Sequence, residues 1–152
     1  MHDDQGWVTP GVRSAIVHQG ELLRALAVGR RLQVGEVGGP AALPALAASG
    51  ERFDSIVSVL QLCRAPELAA TVATLRVLLE ERGRLLFIEP TAGGGATGAG
   101  QRLLAARAPA GGRFARDVPA ALRAGGLVVT DCDRLTLPMR WPWRTFVAGS
   151  AR

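Results

Sequence analysis

The sequence predicts an α/β fold, in which a mostly parallel sheet of six strands carries helices on both faces. Two observations favour it. Short apolar runs alternate with segments of helical periodicity, and most of the apolar runs are continuous rather than alternating in polarity. Continuous runs are typical of strands that are buried on both faces, as in parallel sheets. The runs predicted to be strands are 14–18, 31–37, 54–60, 84–89, 127–132 and 144–150.

Four segments between these runs have the patterns of helices: 20–29, 66–83, 98–108 and 116–126. The strongest pattern is that of 66–83, where apolar side chains recur at i, i+4, i+7 and i+11 from Leu68. Strands that alternate with helices indicate parallel crossovers. No helix separates the last two strands, so we expect them to form a closing hairpin, antiparallel to the rest.

The composition indicates one soluble domain. The 152 residues are enough for a single core, so we expect one domain over 1–152, with 1–13 as an irregular N-terminal segment. No apolar run is long enough to span a membrane, and the first residues do not resemble a secretory signal, which predicts a cytoplasmic protein with no membrane partner. Lysine, asparagine and tyrosine, whose codons are AT-rich, are all missing, which suggests a GC-rich genome.

The charges and the cysteines exclude several functions. The net charge of +5 comes from arginines scattered along the chain, whereas a nucleic-acid groove needs clustered charge with aromatic partners, so nucleic acid is not an expected partner. Cys63 and Cys132 do not have the spacing of metal ligands, and no metal site is predicted. Cys63 follows an apolar run and is expected to be a small buried hydrophobe.

Several motifs, in order, resemble those of the class I S-adenosylmethionine-dependent methyltransferases. The stretch "RFDSIVSVLQLC" (52–63) resembles the family's fourth strand, which an FD pair opens. "LRVLLEERGRLLFIEP" (75–90) resembles a helix, a glycine turn and a fifth strand that ends in an acid. The segment 111–138 resembles the later helix and the sixth strand, and "FVAGSAR" (146–152) the last strand. The resemblance implies a Rossmann-like sheet, S-adenosylmethionine as the cofactor, and a small-molecule substrate if the protein is active.

The resemblance also implies that the chain is a reduced form of the family. It makes 31–37 the third strand and 14–18 the second, and no first strand or glycine-rich cofactor loop precedes them. Residues 14–18 would then pair directly with 54–60. We therefore expect impaired or absent cofactor binding and a role as a pseudoenzyme or accessory subunit, with a second copy or a partner subunit completing the sheet. The alternative is an active methyltransferase with a composite or reduced site.

The candidate site residues lie where the predicted strands end, because ligands of open α/β sheets bind beyond the carboxyl ends of the strands. The candidate cofactor contacts are Ser58, Val59, Leu60 and Gln61 after the fourth strand, Glu36 after 31–37, and His18. His18 stands where the family's second strand has an acid that binds the ribose hydroxyls. Glu89 ends the fifth strand and is the candidate catalytic base. Core packing is the alternative for the residues of the fourth strand, and an exposed surface position is the alternative for His18 and Glu89. For Glu36 the alternative is an ordinary turn over "GEVGGP" (35–40).

A second alternative function uses the glycine-rich stretch 91–100. Gly93, Gly95 and Gly98 satisfy the pattern G-x-G-x-x-G of nucleotide-binding loops. The acid that this pattern requires about 20 residues later is missing. A nucleotide-binding module and a flexible surface loop therefore both stay open for this stretch.

Overall fold

The computed structural model describes residues 10–93, 95–105, 115–137 and 145–152. These residues contain one sheet with the order β1-β2-β3-β5-β4. The strands are β1 (Arg31–Gln33), β2 (Phe53–Val59), β3 (Leu79–Pro90), β4 (Val129–Thr136) and β5 (Thr145–Ala151). The first three strands are parallel, and β5 is antiparallel to both of its neighbours. The predicted α/β class is confirmed, with five strands in the described residues rather than six.

The predicted closing hairpin is formed by β4 and β5, which pair with each other. Its arrangement differs from the prediction in one respect. Because β5 lies between β3 and β4, only β5 runs against the rest of the sheet, and β4 has the same direction as β3.

Helices lie on both faces of the sheet. They are α1 (Pro10–Leu26), α2 (Leu43–Ala48), α3 (Leu68–Leu78), α4 (Gly95–Ala105) and α5 (Val118–Ala124), with short 3-10 turns at Pro40–Ala42 and Leu62–Arg64. On one face, Leu23 of α1 and Ala27, which directly follows the helix, pack with Val57 and Leu86. On the other face, α2, α3 and α5 share the main core with the sheet. Among the described residues, no helix has the combined length and hydropathy that a membrane span requires.

The strand predicted for residues 14–18 is wrong, because these residues lie in α1. Ile16, Gly20 and Leu23 of α1 are buried, and so is Ala27, which directly follows the helix. Their spacing of i, i+4, i+7 and i+11 is that of one helix face. The β-branched Ile16 and Val17 favour a strand locally, but packing of the whole 17-residue helix against the sheet overrides this preference.

Other boundaries also shift. Residues 10–13, predicted to be part of the irregular segment 1–13, form the first turn of α1, and residues 1–9 lie outside the described part. The helix predicted over 20–29 is the second half of α1 and ends at Leu26. Of the helix predicted over 98–108, residues 106–108 lie outside the described part.

The helix predicted over 66–83 ends at Leu78. Leu79 has extended backbone angles and begins β3, where it pairs with Phe53 across an irregularity in the register. Glu80, Glu81 and Arg82 have high helix propensity, but they lie in β3. The strand is paired with β2 on either side of them, at Leu79 and from Arg84 onward.

The first strand of the sheet is short and lies directly beside β2. Arg31 is paired with Ser55, and Gln33 with Val57. The neighbour of β2 is therefore 31–33 and not 14–18, and 34–37 form a turn instead of a continuation of the strand. Within the described residues, β1 is one edge of the sheet.

Candidate functional site

The carboxyl ends of β1 and β2 lie side by side, and the chain leaves each of them in a tight turn. The loop after β1 consists of residues 34–39, which we call the glycine loop. The turn after β2 begins at Leu60. In open α/β sheets, ligands bind in the crevice beyond the carboxyl ends of the strands. The two turns therefore border the place where a cofactor is expected.

The glycine loop is anchored at its base and exposed at its tip. The N–H of Val34 donates to the carbonyl of Val57 at 3.0 Å, and the N–H of Gly39 donates to the carbonyl of Val34 at 2.8 Å. Gly38 and Gly39 have φ values of +102° and +80°. Such angles favour glycine, because a Cβ would clash with the backbone. Glu36 is exposed near the tip.

Gln61 lies against the glycine loop. A Cβ added to Gly35 would be 3.2 Å from Nε2 of Gln61, and a Cβ added to Gly39 would be 3.3 Å from its Oε1. Nε2 of Gln61 also donates to the carbonyl of Val59 at 3.2 Å. Two of the predicted regions, the end of β2 and the loop that carries Glu36, are therefore brought together through this amide.

Ser58 and Glu89 form a buried polar cluster beneath the turn after β2. Both side chains are 0% exposed. The Ser58 hydroxyl donates to Oε1 of Glu89 at 2.8 Å. The backbone N–H groups of Gln61 and Leu62 donate to Oε1 at 3.1 and 2.9 Å, and the N–H of Cys63 donates to Oε2 at 3.0 Å. Three consecutive N–H groups thus converge on one side chain.

The electrostatics of this cluster do not resemble those of an exposed base. Burial raises the pKa of Glu89, and the hydrogen bonds from Cys63, Leu62 and Ser58 oppose this effect. Burial also raises the pKa of the Cys63 thiol, followed by the effect of the nearby Glu89 charge. Arg64 and Arg116 lower it in part. The thiol is therefore protonated at neutral pH and is a poor nucleophile.

Val59 and Leu60 lie on the other side of the turn, towards α1. Both are half-buried and pack against the apolar cluster of Ile16 and Phe146. Leu60 has a φ of +54°, which is uncommon for a residue with a side chain. Its N–H donates to the carbonyl of Ile88 at 3.0 Å, which ties the turn to β3.

His18 is placed differently from its prediction. It lies in α1, on an exposed part of the helix, and not at the end of a strand. The role that followed from a strand end does not apply at this position. The alternative for His18 was an exposed surface position, and the residue is exposed.

The second glycine-rich stretch contributes to α4. Gly95 and Gly98 lie in this helix, while residue 94 is outside the described part. A Cβ on Gly98 would be 2.0 Å from the carbonyl oxygen of Gly93. The N–H of Gly93 donates to Oε1 of the buried Gln101 at 2.5 Å. Close packing within the chain therefore accounts for Gly98.

A shallow apolar groove of about 190 Å³ has Pro40, the residue directly after the glycine loop, in its lining. It lies between the turn at 40–42, α2 and the start of α3. The residues that line it are Pro40, Ala41, Pro44, Pro66, Glu67, Ala70, Thr71 and Thr74. Typical small-molecule sites have volumes of about 300–1,000 Å³, so this groove has room for only part of a cofactor.

Of these features, the sequence missed the glycine loop and the groove. "VGEVGG" (34–39) does not match a nucleotide fingerprint, so its glycines were assigned to an ordinary turn. The loop could have been found from one feature of the sequence: Gly35, Gly38 and Gly39 lie between an apolar run and Pro40.

The fold is similar to those of solved methyltransferases. One is the 1,6-didemethyltoxoflavin-N1-methyltransferase of Burkholderia thailandensis, which was solved with 1,6-didemethyltoxoflavin and S-adenosylhomocysteine. It is 16% identical, with a TM-score of 0.57 over 91% of this chain and 78% of that chain. A second is an S-adenosylmethionine-dependent methyltransferase of Thermotoga maritima, a possible histamine N-methyltransferase, at 12% identity and a TM-score of 0.55 over 91% of this chain and 89% of that chain.

The chain therefore has the class I S-adenosylmethionine-dependent methyltransferase fold. At these identities the likeness concerns the fold alone. No protein-family model matches the chain, and a search of curated proteins finds no match.

Proposed function

We propose that the protein is a degenerate methyltransferase that binds S-adenosylmethionine or S-adenosylhomocysteine weakly, and that it acts as a pseudoenzyme or an accessory subunit. The observation that carries the proposal is the glycine loop at the carboxyl end of β1, with Gln61 of the next strand against it. A cytoplasmic location is part of the same proposal.

The position of β1 supports this site. In the Rossmann order 3-2-1-4-5-6, the strand beside the fourth is the first, and the loop after it approaches the cofactor. Residues 52–63 resemble the fourth strand, and β1 lies directly beside them. By this order β1 takes the place of the first strand, and the strands that would lie beyond it are the ones with no counterpart in the described residues.

The exposed tip of the glycine loop is suited to the methionine end of the cofactor. Glu36, Val37 and Gly38 are exposed there, and successive backbone N–H groups in such a turn can approach a carboxylate. Glu36 adds one acceptor for an amine or a hydroxyl. The groove at Pro40 and Pro66 offers an apolar surface for a flat ring.

The same geometry supports weak rather than tight binding. The acid that the family uses for the ribose belongs to a strand beyond β1, and the described residues contain no such strand. The groove is smaller than a typical ligand site. We propose that a second copy of the chain or a partner subunit pairs with the edge at β1 and completes the site, since an unpaired edge is a ready surface for another strand.

Calorimetric titration with S-adenosylmethionine and with S-adenosylhomocysteine tests the proposal. We expect saturable binding with a dissociation constant well above about 1 μM, so that the binding free energy is weaker than about −8 kcal/mol. Glu36→Ala should weaken it, whereas Glu51→Ala should not. Glu51 is a matched control because it is also acidic but lies at the amino ends of β1 and β2, away from the glycine loop. There it pairs with Arg30.

The other outcomes separate the alternatives. A dissociation constant of about 1 μM or below for S-adenosylmethionine, together with methyl transfer to a small molecule, would support the active enzyme and refute the pseudoenzyme. Binding of ATP but of neither methionine derivative would favour the nucleotide module instead. No binding of any of these ligands would refute the proposed cofactor site.

A further inference from the structure

We infer that Glu89 is a positioning residue, which holds the turn after β2 so that Gln61 lies over the glycine loop. This inference rests on the proposed cofactor site and deepens it. It also replaces the role of catalytic base that the strand-end position of Glu89 suggested.

The first argument is the set of hydrogen bonds to Glu89. The side chain accepts from Ser58 in β2 and from the backbone N–H groups of Gln61, Leu62 and Cys63. Gln61 is half-buried, and Leu62 and Cys63 are buried, at the start of a 3-10 turn. Without Glu89, their N–H groups would have no acceptor. Buried donors without acceptors are costly, so the path of the turn depends on this one side chain.

The second argument is the backbone of Leu60. Its φ of +54° turns the chain sharply at the end of β2. A conformation of this kind persists where the surrounding structure imposes it. The bond from Leu60 N–H to the Ile88 carbonyl fixes one side of the residue, and the bonds from Gln61 onward to Glu89 fix the other side.

The third argument connects the turn to the cofactor site. The N–H of Gln61 is bound to Glu89, and the amide of the same residue lies against Gly35 and Gly39. A shift of the turn would therefore move this amide relative to the glycine loop. Glu89 itself is 0% exposed, so its effect on a ligand is transmitted through Gln61.

The test uses binding of S-adenosylhomocysteine by the full chain. Glu89→Leu removes both acceptor oxygens and should weaken binding about tenfold or more, while Glu89→Gln keeps one oxygen and should restore part of the loss. Ser58→Ala removes a single donor to Glu89 and is the milder variant if Glu89→Leu does not fold. Ser55→Ala is the matched control, because Ser55 is equally buried in β2 but its hydroxyl binds the backbone of Val28.

A double-mutant cycle separates positioning from a general loss of stability. If Glu89 acts through Gln61, adding Glu89→Gln to Gln61→Ala should change the affinity by less than about twofold. Losses that multiply in the double variant would overturn the inference. So would an affinity that Ser58→Ala and Ser55→Ala lower equally.

A measurement without ligand distinguishes this inference from the proposed function. The amide resonances of Gly35 and Gly39 should shift in Glu89→Gln and in Ser58→Ala, and not in Ser55→Ala. Unchanged resonances would refute the positioning role even if the cofactor binds. Shifted resonances in a protein that binds no cofactor would refute the proposed function and leave the contact itself established.

Discussion

Substitution of Gly39 should separate the folding role of the glycine loop from its binding role. Gly39 has φ +80° and ψ −165°, a region that essentially only glycine occupies. An alanine there should cost about 1–3 kcal/mol of stability, because residues forced into this region are strained by about that amount. Its Cβ would also come within 3.3 Å of Oε1 of Gln61.

Gly35→Ala is the matched comparison. Its Cβ would lie 3.2 Å from Nε2 of Gln61, an atom at the far end of a flexible side chain that can move away. Gly35 also does not have the left-handed backbone angles of Gly39. We therefore expect a stability change below about 0.5 kcal/mol, which is typical of surface substitutions. Both variants should displace the Gln61 amide and weaken binding of S-adenosylhomocysteine.

Urea unfolding and calorimetry would measure the two effects. With a slope of about 1–3 kcal/mol per molar urea, the midpoint should fall by several tenths of a molar or more in Gly39→Ala and hardly at all in Gly35→Ala. Equal midpoints in the two variants would refute the argument from backbone strain. Full affinity in both variants would refute the placement of Gln61 over the loop.

Three further predictions concern other parts of the fold. Because the pKa of Glu89 is raised in the folded state, its contribution to stability is fully present below its ordinary pKa and is lost as the pH rises through the raised value. Glu89→Gln should abolish this pH dependence of the urea midpoint, and an unchanged profile would contradict the raised pKa. Asp117→Ala should cost about 0.5–2 kcal/mol, because Asp117 accepts from the N–H of Ala120 at 2.9 Å as the N-cap of α5; an unchanged melting temperature would contradict this. A thiol reagent should modify the exposed Cys132 well before the buried Cys63, and the reverse order, followed by mass spectrometry of the peptides, would contradict the burial of Cys63.

The sequence was sufficient to predict strands with an isolated apolar run and clear boundaries. β2 and β5 are within one or two residues of their predictions at 54–60 and 144–150, although residue 144 lies outside the described part. The failure at 14–18 has a physical cause. The five residues 14–18 are too few to distinguish a strand from a helix by their pattern. Only the later buried positions, Leu23 and Ala27, reveal the helical spacing.

The candidate site was predictable in its position but not in its contacts. The strand-end rule placed Ser58, Gln61, Glu36 and Glu89 at or just beyond the carboxyl ends of strands, and the structure has them at this edge of the sheet. Their role as a site stays a prediction. The burial of Glu89 could not be predicted in the same way. It depends on a turn 26 to 28 residues earlier in the chain that folds over it, and this turn has no local sequence signature. The glycine loop was missed because its place beside the end of β2 depends on the pairing of β1 with β2, and its sequence matches no nucleotide fingerprint.

The insertion of β5 between β3 and β4 has a consequence for the order in which the chain folds. Leu85 pairs with Ala151, so one side of β3 stays unpaired until β5, which is synthesised after β1 to β4, is available. Until then β4 has no neighbour, and β3 has an open edge of apolar residues. Pairings over such long sequence separations are slow to form. During synthesis the nascent chain therefore exposes an unpaired β3 edge to chaperones and to other chains until β5 is inserted.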